Sequence, residues 1–520
     1  MASSFTLVLD LAAVMAFISF VVAFDQRRKR KGLRYPPGPR ALPIVGNLFD
    51  VPKEFSWLTY AGWGKTYGDI ISIQVFGQVI VILNSATVAR DLLEKRGTIY
   101  SGRPTIHFWE LMNWSWFEMS TTYSEKWRLR RKMLDQGLRP SAAVLYRPMQ
   151  KEKAHDLLKQ LLSRPEEFRN HIEYLQGAII MSLVYGYDLV GEDDLYLRTA
   201  LDTNAISTRT LLPGSVIVND LPFLKHLPEW LPGMGFKALA RKGDKLGQDM
   251  VNLPFDLVKE NMRHGAARLS VTRENLLELE HDHGVDAKET ERAIAEASGS
   301  LYLAGADTTV SAISTLFLVL VLYPDIQRRA QAELDAVTEG KRLPDFEDRP
   351  RLPYVEALCK EVLRWRCVAP VGVPHSTMED NVYNGYFIPK GATVIANIWA
   401  ILQDSRVYTE PGAFKPERFL TPEGKVRDDP TLMAVWGFGR RICPGRHIAE
   451  NTLFIVAAAF LATFTIGKAK DAHGSEIPVE CAYTGAVLTY PKEFDCSIVP
   501  RSQKAEELIS MESWETGTDH

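Results

Sequence analysis

Cys443 lies in the glycine-rich segment Trp436-Gly-Phe-Gly-Arg-Arg-Ile-Cys-Pro-Gly445, directly before a helical pattern. A thiol in this setting can be presented to a metal as a thiolate, because cations such as Arg440 and Arg441 and free helix N–H groups stabilise its charge. The glycines let the backbone pass close beneath a flat ring. The segment therefore predicts a haem iron ligated by Cys443, and a sulfur ligand on haem favours cleavage of the O–O bond.

This segment resembles the haem-ligand loop of the cytochrome P450 monooxygenases, Phe-x-x-Gly-x-Arg-x-Cys-x-Gly, which a small residue follows four positions later. The matching positions are Gly439, Arg441, Cys443, Gly445 and Ala449. One position departs from the pattern, because Trp436 stands where the family has phenylalanine, and its indole N–H requires a partner. The resemblance implies haem b as the cofactor, with Cys443 as its axial ligand and Gly439, Arg441 and Gly445 in its binding loop.

Composition narrows the alternatives. The chain has 520 residues, a net charge of −3 and no low-complexity linker in its middle, which favours one large domain and gives no sign of a nucleic-acid-binding protein. Five scattered cysteines without a CxxC pair indicate a reducing compartment, not a disulfide or zinc framework. The cysteines other than the ligand are interpreted as buried, small apolar residues: Cys359, Cys367, Cys481 and Cys496.

The N-terminus predicts a membrane anchor. The stretch 5–24 is almost entirely apolar and long enough to cross a bilayer as a helix, and five basic residues follow it at 27–31. Positive charge after the apolar run, not before it, indicates an uncleaved anchor with the body on the cytosolic side, as in a single-pass protein of the endoplasmic reticulum. A cleaved signal peptide is the alternative.

Four segments follow from these observations. Residues 1–25 form the membrane anchor, residues 26–43 a basic and proline-rich hinge, and residues 44–500 the catalytic domain of the P450 type. The tail 501–520 is rich in Glu, Ser and Thr and is expected to be disordered.

Periodicity predicts a mainly α fold with small β-sheets. The stretch 70–83 alternates as a hairpin around Gly77-Gln78, and Asn384-Gly385 is a favoured turn for a second hairpin. The stretch 288–323 has the pattern of one unusually long helix, stopped by Pro324. The resemblance extends over roughly residues 36–500, and it implies the cytochrome P450 fold.

Ala304-Gly-Ala-Asp-Thr-Thr309 places several poor helix formers inside this long helix. The hydroxyl of Thr308 can bond the carbonyl of Ala304, which together with Gly305 opens or kinks the helix. The segment matches the family's oxygen-binding signature, which implies that Thr308 is the catalytic hydroxyl and Asp307 the acid that relays protons from solvent. A polar pair capping a break in a core helix is the alternative.

Glu361 and Arg364 lie three residues apart and share a helix face, and Arg418 follows in Pro416-Glu-Arg-Phe419. The family's Glu-x-x-Arg and Pro-x-Arg-Phe patterns are both met. An ordinary surface pair is the alternative. The resemblance implies a structural network behind the haem, without a role in the chemistry.

Haem carries two propionates, which need cationic or hydrogen-bond-donating partners. The resemblance implies four such residues: Trp127, Arg131, His375 and Arg441. A satisfied structural histidine is the alternative for His375. Arg128, Arg130 and Lys132 lie on the same segment and are interpreted either as a basic docking face for an electron donor or as a solvated charged face.

The sequence therefore predicts a membrane-anchored monooxygenase that oxidises a small lipophilic substrate such as a terpenoid, polyketide or xenobiotic. Its electrons are expected from a separate NADPH-cytochrome P450 reductase, with cytochrome b5 as a further candidate donor. The stretch 101–120 is rich in aromatic residues and is expected either to roof an apolar pocket or to pack in the core. A haem-thiolate isomerase or dehydratase and a non-enzymatic haem-binding membrane protein are the alternatives.

Overall fold

The computed structural model describes residues 32–211, 215–281 and 286–511. The predicted membrane anchor, residues 1–25, lies outside the described residues. So do the first residues of the predicted hinge and the last nine residues of the chain.

Helices make up most of the described chain, and its eight strands form one four-stranded and two two-stranded sheets. The helices are α1 (Ser56–Tyr67), α2 (Ala86–Ala89), α3 (Gly97–Tyr100), α4 (His107–Leu111), α5 (Glu125–Leu138), α6 (Pro140–Ala143), α7 (Arg147–Ser163), α8 (Phe168–Tyr185), α9 (Leu195–Leu211), α10 (Phe236–Arg263), α11 (Val271–His281), α12 (Ala287–Leu322), α13 (Pro324–Thr338), α14 (Pro353–Trp365), α15 (Ile398–Leu402), α16 (Arg446–Thr463) and α17 (Gln503–Ser510). The strands are β1 (Ile70–Val75), β2 (Gln78–Leu83), β3 (His375–Ser376), β4 (Asn381–Tyr383), β5 (Tyr386–Ile388), β6 (Thr393–Ala396), β7 (Phe464–Lys468) and β8 (Cys496–Pro500). The mainly α prediction with small sheets is confirmed.

Both predicted hairpins are present. Strands β1 and β2 pair antiparallel around Phe76 and Gly77, and the order β1-β2-β6-β3 joins this hairpin to the second half of the chain. Strands β4 and β5 are connected by Asn384 and Gly385, whose φ angles are 49° and 80°. Two consecutive positive φ angles are what an Asn-Gly hairpin turn requires.

The predicted long helix is α12. The side chain of Asp286 caps its start by accepting hydrogen bonds from the N–H groups of Lys288 and Glu289, at 3.0 and 3.1 Å. The helix ends at Leu322, two residues before Pro324. Among the described helices it alone is long and apolar enough to cross a bilayer, yet 72% of its most apolar stretch is buried in the protein. Helix α12 is thus the central core helix.

The described part of the tail that was predicted to be disordered, residues 501–511, contains a helix. Ser502 caps α17 by accepting a hydrogen bond from the N–H of Ala505 at 3.2 Å, and Ala505, Leu508 and Ile509 are buried. The carbonyl of Ile509 also contacts a ring nitrogen of His155 on α7, at 2.9 Å. Polar composition suggested disorder, but three apolar residues on one helix face are enough to hold the segment against the domain.

Glu361 and Arg364 form a fully buried ion pair on α14. Two hydrogen bonds of 2.6 and 2.8 Å join the guanidinium to the carboxylate, and Arg418 adds a third contact at 3.1 Å. The backbone N–H of Lys415 also donates to the Glu361 carboxylate, at 2.8 Å. Arg364 reaches the carbonyl of Leu402 at 3.0 Å. The network therefore ties α14 to the loops between α15 and the Cys443 segment.

Replacing Glu361 by glutamine should destabilise the protein by about 3–5 kcal/mol, because it leaves two guanidinium groups buried without a counter-charge. The free energy of unfolding from urea titration measures this loss. Glu339→Gln removes one partner of an exposed pair with Lys341 and is the matched control. Equal destabilisation by the two variants would contradict a special role for the buried network.

Candidate active site

The Cys443 loop is a tight backbone arch. The N–H of Cys443 donates to the carbonyl of Trp436 at 2.7 Å, which closes the loop before α16 begins. Gly439 has a φ of 56°, and a Cβ atom at this position would lie 2.2 Å from the carbonyl oxygen of Leu93. The loop can therefore lie against the 90–95 segment only with glycine at this position.

The charges around the sulfur differ from the expectation. Burial raises the pKa of the Cys443 thiol, and the N–H of Gly445 and the cations Arg131 and Arg446 oppose this rise. The expected neighbour Arg440 instead reaches outward to a tyrosine hydroxyl, and its side chain is exposed. A helix N-terminus does face the sulfur, as predicted, but the nearby cations come from α5 and α16.

Trp436 finds a partner for its indole N–H. Its side chain donates a hydrogen bond to the carboxylate of Glu450 on α16, which lowers the pKa of that carboxyl against the larger raising effect of burial. Glu450 belongs to the second turn of the helix that begins at Arg446. Glu450, seven residues after Cys443, thus provides the partner that the larger Trp436 side chain requires.

Three guanidinium groups crowd into the interior beside this loop. Burial and mutual repulsion lower the pKa values of Arg103, Arg131 and Arg441, the last to about 10. Arg131 donates to the carbonyl of Ile442 at 2.6 Å, and Arg441 to the carbonyl of Ser101 at 2.9 Å. Buried cations in this number are costly without anions. The cluster fits a ligand that carries negative groups.

The remaining two predicted residues lie at the same place. The guanidinium of Arg441 lies over the ring of Trp127, 4.2 Å from its centroid. The Nδ1 atom of His375 donates to the carbonyl of Tyr100 at 2.8 Å, and burial among cations lowers the pKa of this histidine. A neutral His375 therefore has a lone pair on Nε2, and it can donate to an anion only after gaining a proton.

Arg130 does not belong to an exposed docking face. It is fully buried, and it contacts Glu296 on α12 at 3.1 Å and Glu118 at 3.0 Å. Burial raises the pKa of Glu118 to about 7, although Arg130 and other cations oppose the rise. The docking-face reading therefore fails for Arg130, while Arg128 and Lys132 are exposed. Charge alternation along α5 could not show which of its cations turns inward.

The Ala304–Thr309 segment has the predicted hydrogen bond, but the predicted opening of the helix is absent from it. The Thr308 hydroxyl donates to the carbonyl of Ala304 at 3.1 Å, and α12 continues through the segment. Gln176 on α8 donates to the carbonyl of Gly305 at 2.6 Å. A Cβ on Gly305 would lie 2.4 Å from the side chain of Ile180. Glycine thus lets α8 and α12 approach closely.

Asp307 lies near two further polar side chains. Burial raises the pKa of its carboxyl, and a hydrogen bond from Tyr490 partly opposes the rise. The Tyr490 hydroxyl also lies 3.5 Å from the backbone carbonyl of Asp307. Burial and the charge of Asp307 raise the pKa of Glu173, which is exposed on α8. A polar route therefore leads from the surface to the middle of α12.

Several deeply placed residues keep part of their surface uncovered by protein atoms. Ala304 is exposed although Leu303 and Ala306 are buried, and Thr308 is half-buried. Cys443 and Arg103 show the same combination of deep position and uncovered surface. Uncovered surface beside a thiol, a hydroxyl and buried cations is what a flat anionic cofactor such as haem requires.

The aromatic residues of 101–120 are core residues in this structure. The rings of Trp109, Trp114, Trp116 and Phe117 pack on one another with centroid distances of 5.6 to 6.4 Å. Trp109 donates to a threonine on α9 and Trp114 to a carbonyl on α10, both at 2.9 Å. This block fixes the helices α9 and α10 in place.

Comparison with known proteins agrees with this site. The sequence profile described as Cytochrome P450 matches residues 36–493. The chain belongs to the cytochrome P450 family. It is 42% identical to cytochrome P450 monooxygenase 208 of Postia placenta, with 97% of this chain and 98% of that protein covered.

Two further relatives extend the comparison. Cytochrome P450 monooxygenase claR of Ampulloclitocybe clavipes is 40% identical over 93% of this chain and 89% of its own length. Tryptamine 4-monooxygenase of Psilocybe cyanescens is 37% identical over 96% of this chain and 100% of its own length. The chain is therefore a P450 monooxygenase, and its cofactor is haem b with a cysteine thiolate as the axial ligand.

Sequence reasoning missed four polar residues of this region: Arg103, Glu118, Gln176 and Tyr490. Each is a single residue outside any recognised spacing, and each reaches the site from a different segment of the chain. The depth of Arg103 and the contact of Tyr490 depend on tertiary packing. A local pattern carries no signal for either.

Replacing Arg103 by methionine should weaken haem retention. The residue is one of three buried cations beside the loop, and loss of a charged hydrogen bond to a haem carboxylate should speed haem release about tenfold. Haem transfer to an excess of a haem-free globin measures the rate.

Arg96→Met is the control, because Arg96 donates to Asn381 and to the carbonyl of Val382 outside the cluster. Equal haem release from the Arg103 variant and the unsubstituted protein would remove Arg103 from the haem site.

Proposed function

We propose that this P450 inserts one oxygen atom into a small lipophilic substrate at a haem ligated by Cys443. Two electrons from a separate NADPH-dependent reductase and two protons reduce the second oxygen atom to water. The observation that carries the proposal is the Cys443 loop with three buried guanidinium groups beside it. The uncovered stretch of α12 presents Thr308 and Asp307. The family and its monooxygenase relatives support the reaction class.

The chain's own residues would hold the haem from several sides. Cys443 would supply the sulfur ligand, and the glycine arch would leave room for the porphyrin beside the backbone. Arg103, Arg131 and Arg441 would pair with its carboxylates, and Trp127 lies against the guanidinium of Arg441. When bound, haem supplies dioxygen binding and activation.

Protons would reach the reacting oxygen through Asp307 and Thr308. Burial raises the pKa of Asp307, which favours its protonated form, and its neighbour Glu173 is open to solvent. The Thr308 hydroxyl can pass a proton inward while its oxygen accepts another in return. The bond from Thr308 to Ala304 fixes the position of that hydroxyl between turnovers.

The substrate class is proposed from the setting. Apolar side chains dominate the core around α9, α10 and α12, which suits a lipophilic molecule such as a terpenoid or polyketide. The relative named tryptamine 4-monooxygenase adds aromatic amines to the compounds worth testing. Product analysis with a reductase, NADPH and a panel of terpenoids, polyketides, xenobiotics and tryptamine would identify the substrate.

Membrane attachment at the endoplasmic reticulum is part of the same proposal. The apolar stretch and basic cluster at the N-terminus support it, and so do exposed apolar side chains between α9 and α10. These are Ile217, Phe223 and Trp230, with exposed fractions of 50%, 59% and 79%. Large exposed aromatic residues in one segment suit the interfacial layer of a bilayer.

An isomerase or dehydratase would use the same haem without external electrons. Such a reaction does not require the acid and hydroxyl pair on α12, whereas oxygen insertion does. A haem-binding protein without catalysis has no need of the pair either. Turnover without reductant, or no product with reductase and the whole substrate panel, would favour these alternatives.

Replacing Cys443 by serine should remove the red-shifted absorption band that reduced P450 shows with carbon monoxide, because that band depends on a thiolate ligand. Absorption spectra of the reduced protein with carbon monoxide test this directly. Cys481→Ser is the control, because Cys481 is exposed in the structure, contrary to the interpretation of it as a buried residue. An unaltered band in the Cys443 variant would refute the ligand assignment.

Replacing Thr308 by alanine should uncouple electron use from product formation, because the proton-delivering hydroxyl is lost. We expect product per NADPH to fall about tenfold, within the range for general acid–base catalysis. Simultaneous assays of NADPH consumption, hydrogen peroxide and product measure it. Thr309→Ala makes the same change at the adjacent, buried threonine.

Replacing Tyr490 by phenylalanine tests the role of the Asp307 carboxyl separately from that of the Thr308 hydroxyl. It leaves Thr308 in place and removes a hydrogen bond that lowers the pKa of Asp307. The pKa of Asp307 should therefore rise, and the pH profile of coupling should move to higher pH. Unchanged coupling in the Thr308 variant and an unchanged profile in the Tyr490 variant would remove both residues from proton delivery.

A further inference from the structure

A second group of side chains, able to ligate a metal ion, lies at the N-terminal end of α8. Carboxylate oxygens of Glu167 and Glu192 and a ring nitrogen of His171 all lie within 4.8 Å of one another. Glu167 directly precedes α8 and His171 lies four residues further, in its first turn, while Glu192 belongs to the loop before α9. We propose that this cluster binds a divalent transition metal ion such as Zn²⁺.

The histidine is prepared for ligation. Its Nε2 atom lies 3.0 Å from the backbone carbonyl of Arg164, which can only accept, so Nε2 carries the proton. Nδ1 then has a free lone pair. The side chain of His171 is fully buried, and Nδ1 finds no hydrogen-bond partner among the described residues. Metal-binding histidines commonly have their other nitrogen fixed by a carbonyl in this way.

The buried nitrogen separates this cluster from an ordinary acidic patch. A polar atom buried without a partner is costly, and a metal ion would satisfy it together with the two carboxylates. One imidazole and two carboxylates favour Zn²⁺ and its first-row neighbours over Mg²⁺ or Ca²⁺, which prefer oxygen ligands alone. Water would complete the coordination, because an open depression of about 470 Å³ adjoins Glu192.

The guanidinium of Arg164 pairs with both carboxylates of the cluster. Its guanidinium lies 2.7 Å from Glu167 and 3.5 Å from Glu192, and nearly half of its side chain is exposed. A metal ion would compete with this cation for the same carboxylates, and Arg164 can move into solvent. Its backbone carbonyl would continue to orient His171. The side chain of Arg164 therefore competes with the metal for the carboxylates, whereas its backbone carbonyl holds His171 in the orientation for binding.

A bound ion would fasten the loop 186–194 to the start of α8. This loop leads into α9, and α9 receives the hydrogen bond from Trp109 through Thr210. The ion would thus stabilise the approach to the helices that cover the active-site region. This role does not depend on the proposed substrate or on the haem chemistry.

The test uses the full-length haem protein without a histidine tag, dialysed against Zn²⁺ and, separately, Mg²⁺. Metal content by mass spectrometry and calorimetric titration should show one Zn²⁺ site, and Mg²⁺ should not compete at equal concentration. Glu192→Gln changes an exposed loop residue and should weaken Zn²⁺ binding about tenfold or more. His171→Gln should abolish it, with circular dichroism confirming the fold.

Arg164→Gln provides the sharpest result. It removes the competing cation and keeps the backbone carbonyl, so Zn²⁺ should bind several-fold more tightly than to the unsubstituted protein. His264→Ala is the control, because His264 pairs with Glu260 in an exposed cluster elsewhere, at 2.8 Å. Zn²⁺ binding that is absent, or that is unchanged in both the Glu192 and Arg164 variants, would overturn the proposal.

Discussion

The crowding of guanidinium groups beside the Cys443 loop is the constraint on which the rest of the site depends. Arg103, Arg131 and Arg441 come from three separate segments, and each is buried deeply enough to have a lowered pKa. Backbone carbonyls accept hydrogen bonds from all three, but the Nε atom of Arg103 is buried without a partner, and the single carboxylate of Glu118 acts on all three charges. An anionic cofactor would supply the missing charge and join the three segments. Haem binding and completion of this part of the fold are therefore coupled.

Helix α12 has to form part of the apolar core and also present polar groups in its middle. Its C-terminal half is fully buried core, whereas Ala304 and Thr308 leave one side uncovered in the middle of the molecule. Residues that form helices poorly are tolerated there because side chains donate hydrogen bonds to the backbone carbonyls of this stretch. Gln176 bonds the carbonyl of Gly305, and the Thr308 hydroxyl bonds that of Ala304. The helix stays continuous, so polar groups can line the cavity at little cost to the core.

Sequence patterns predicted what depends on neighbours along the chain. The long helix, both hairpins and the Glu361–Arg364 pair follow from periodicity, turn residues and helical spacing, and the structure contains all of them. Patterns failed where the outcome depends on distant partners. Arg130 is buried with two acidic partners, Glu118 and Glu296, of which Glu296 lies far along the chain. Helix α17 forms because the domain offers its apolar face a surface.

The substitution at Trp436 shows how a departure from a family pattern is absorbed. Tryptophan brings an indole N–H behind the loop, and the carboxylate of Glu450 accepts it. The arrangement has a consequence for the sulfur, because a negative Glu450 disfavours the thiolate of Cys443. Arg131 and Arg446 act in the opposite direction from nearby positions. Burial therefore has the largest effect on the pKa of the Cys443 thiol, and charged residues of α5 and α16 modify it, with Glu450, the partner of Trp436, adding to the rise.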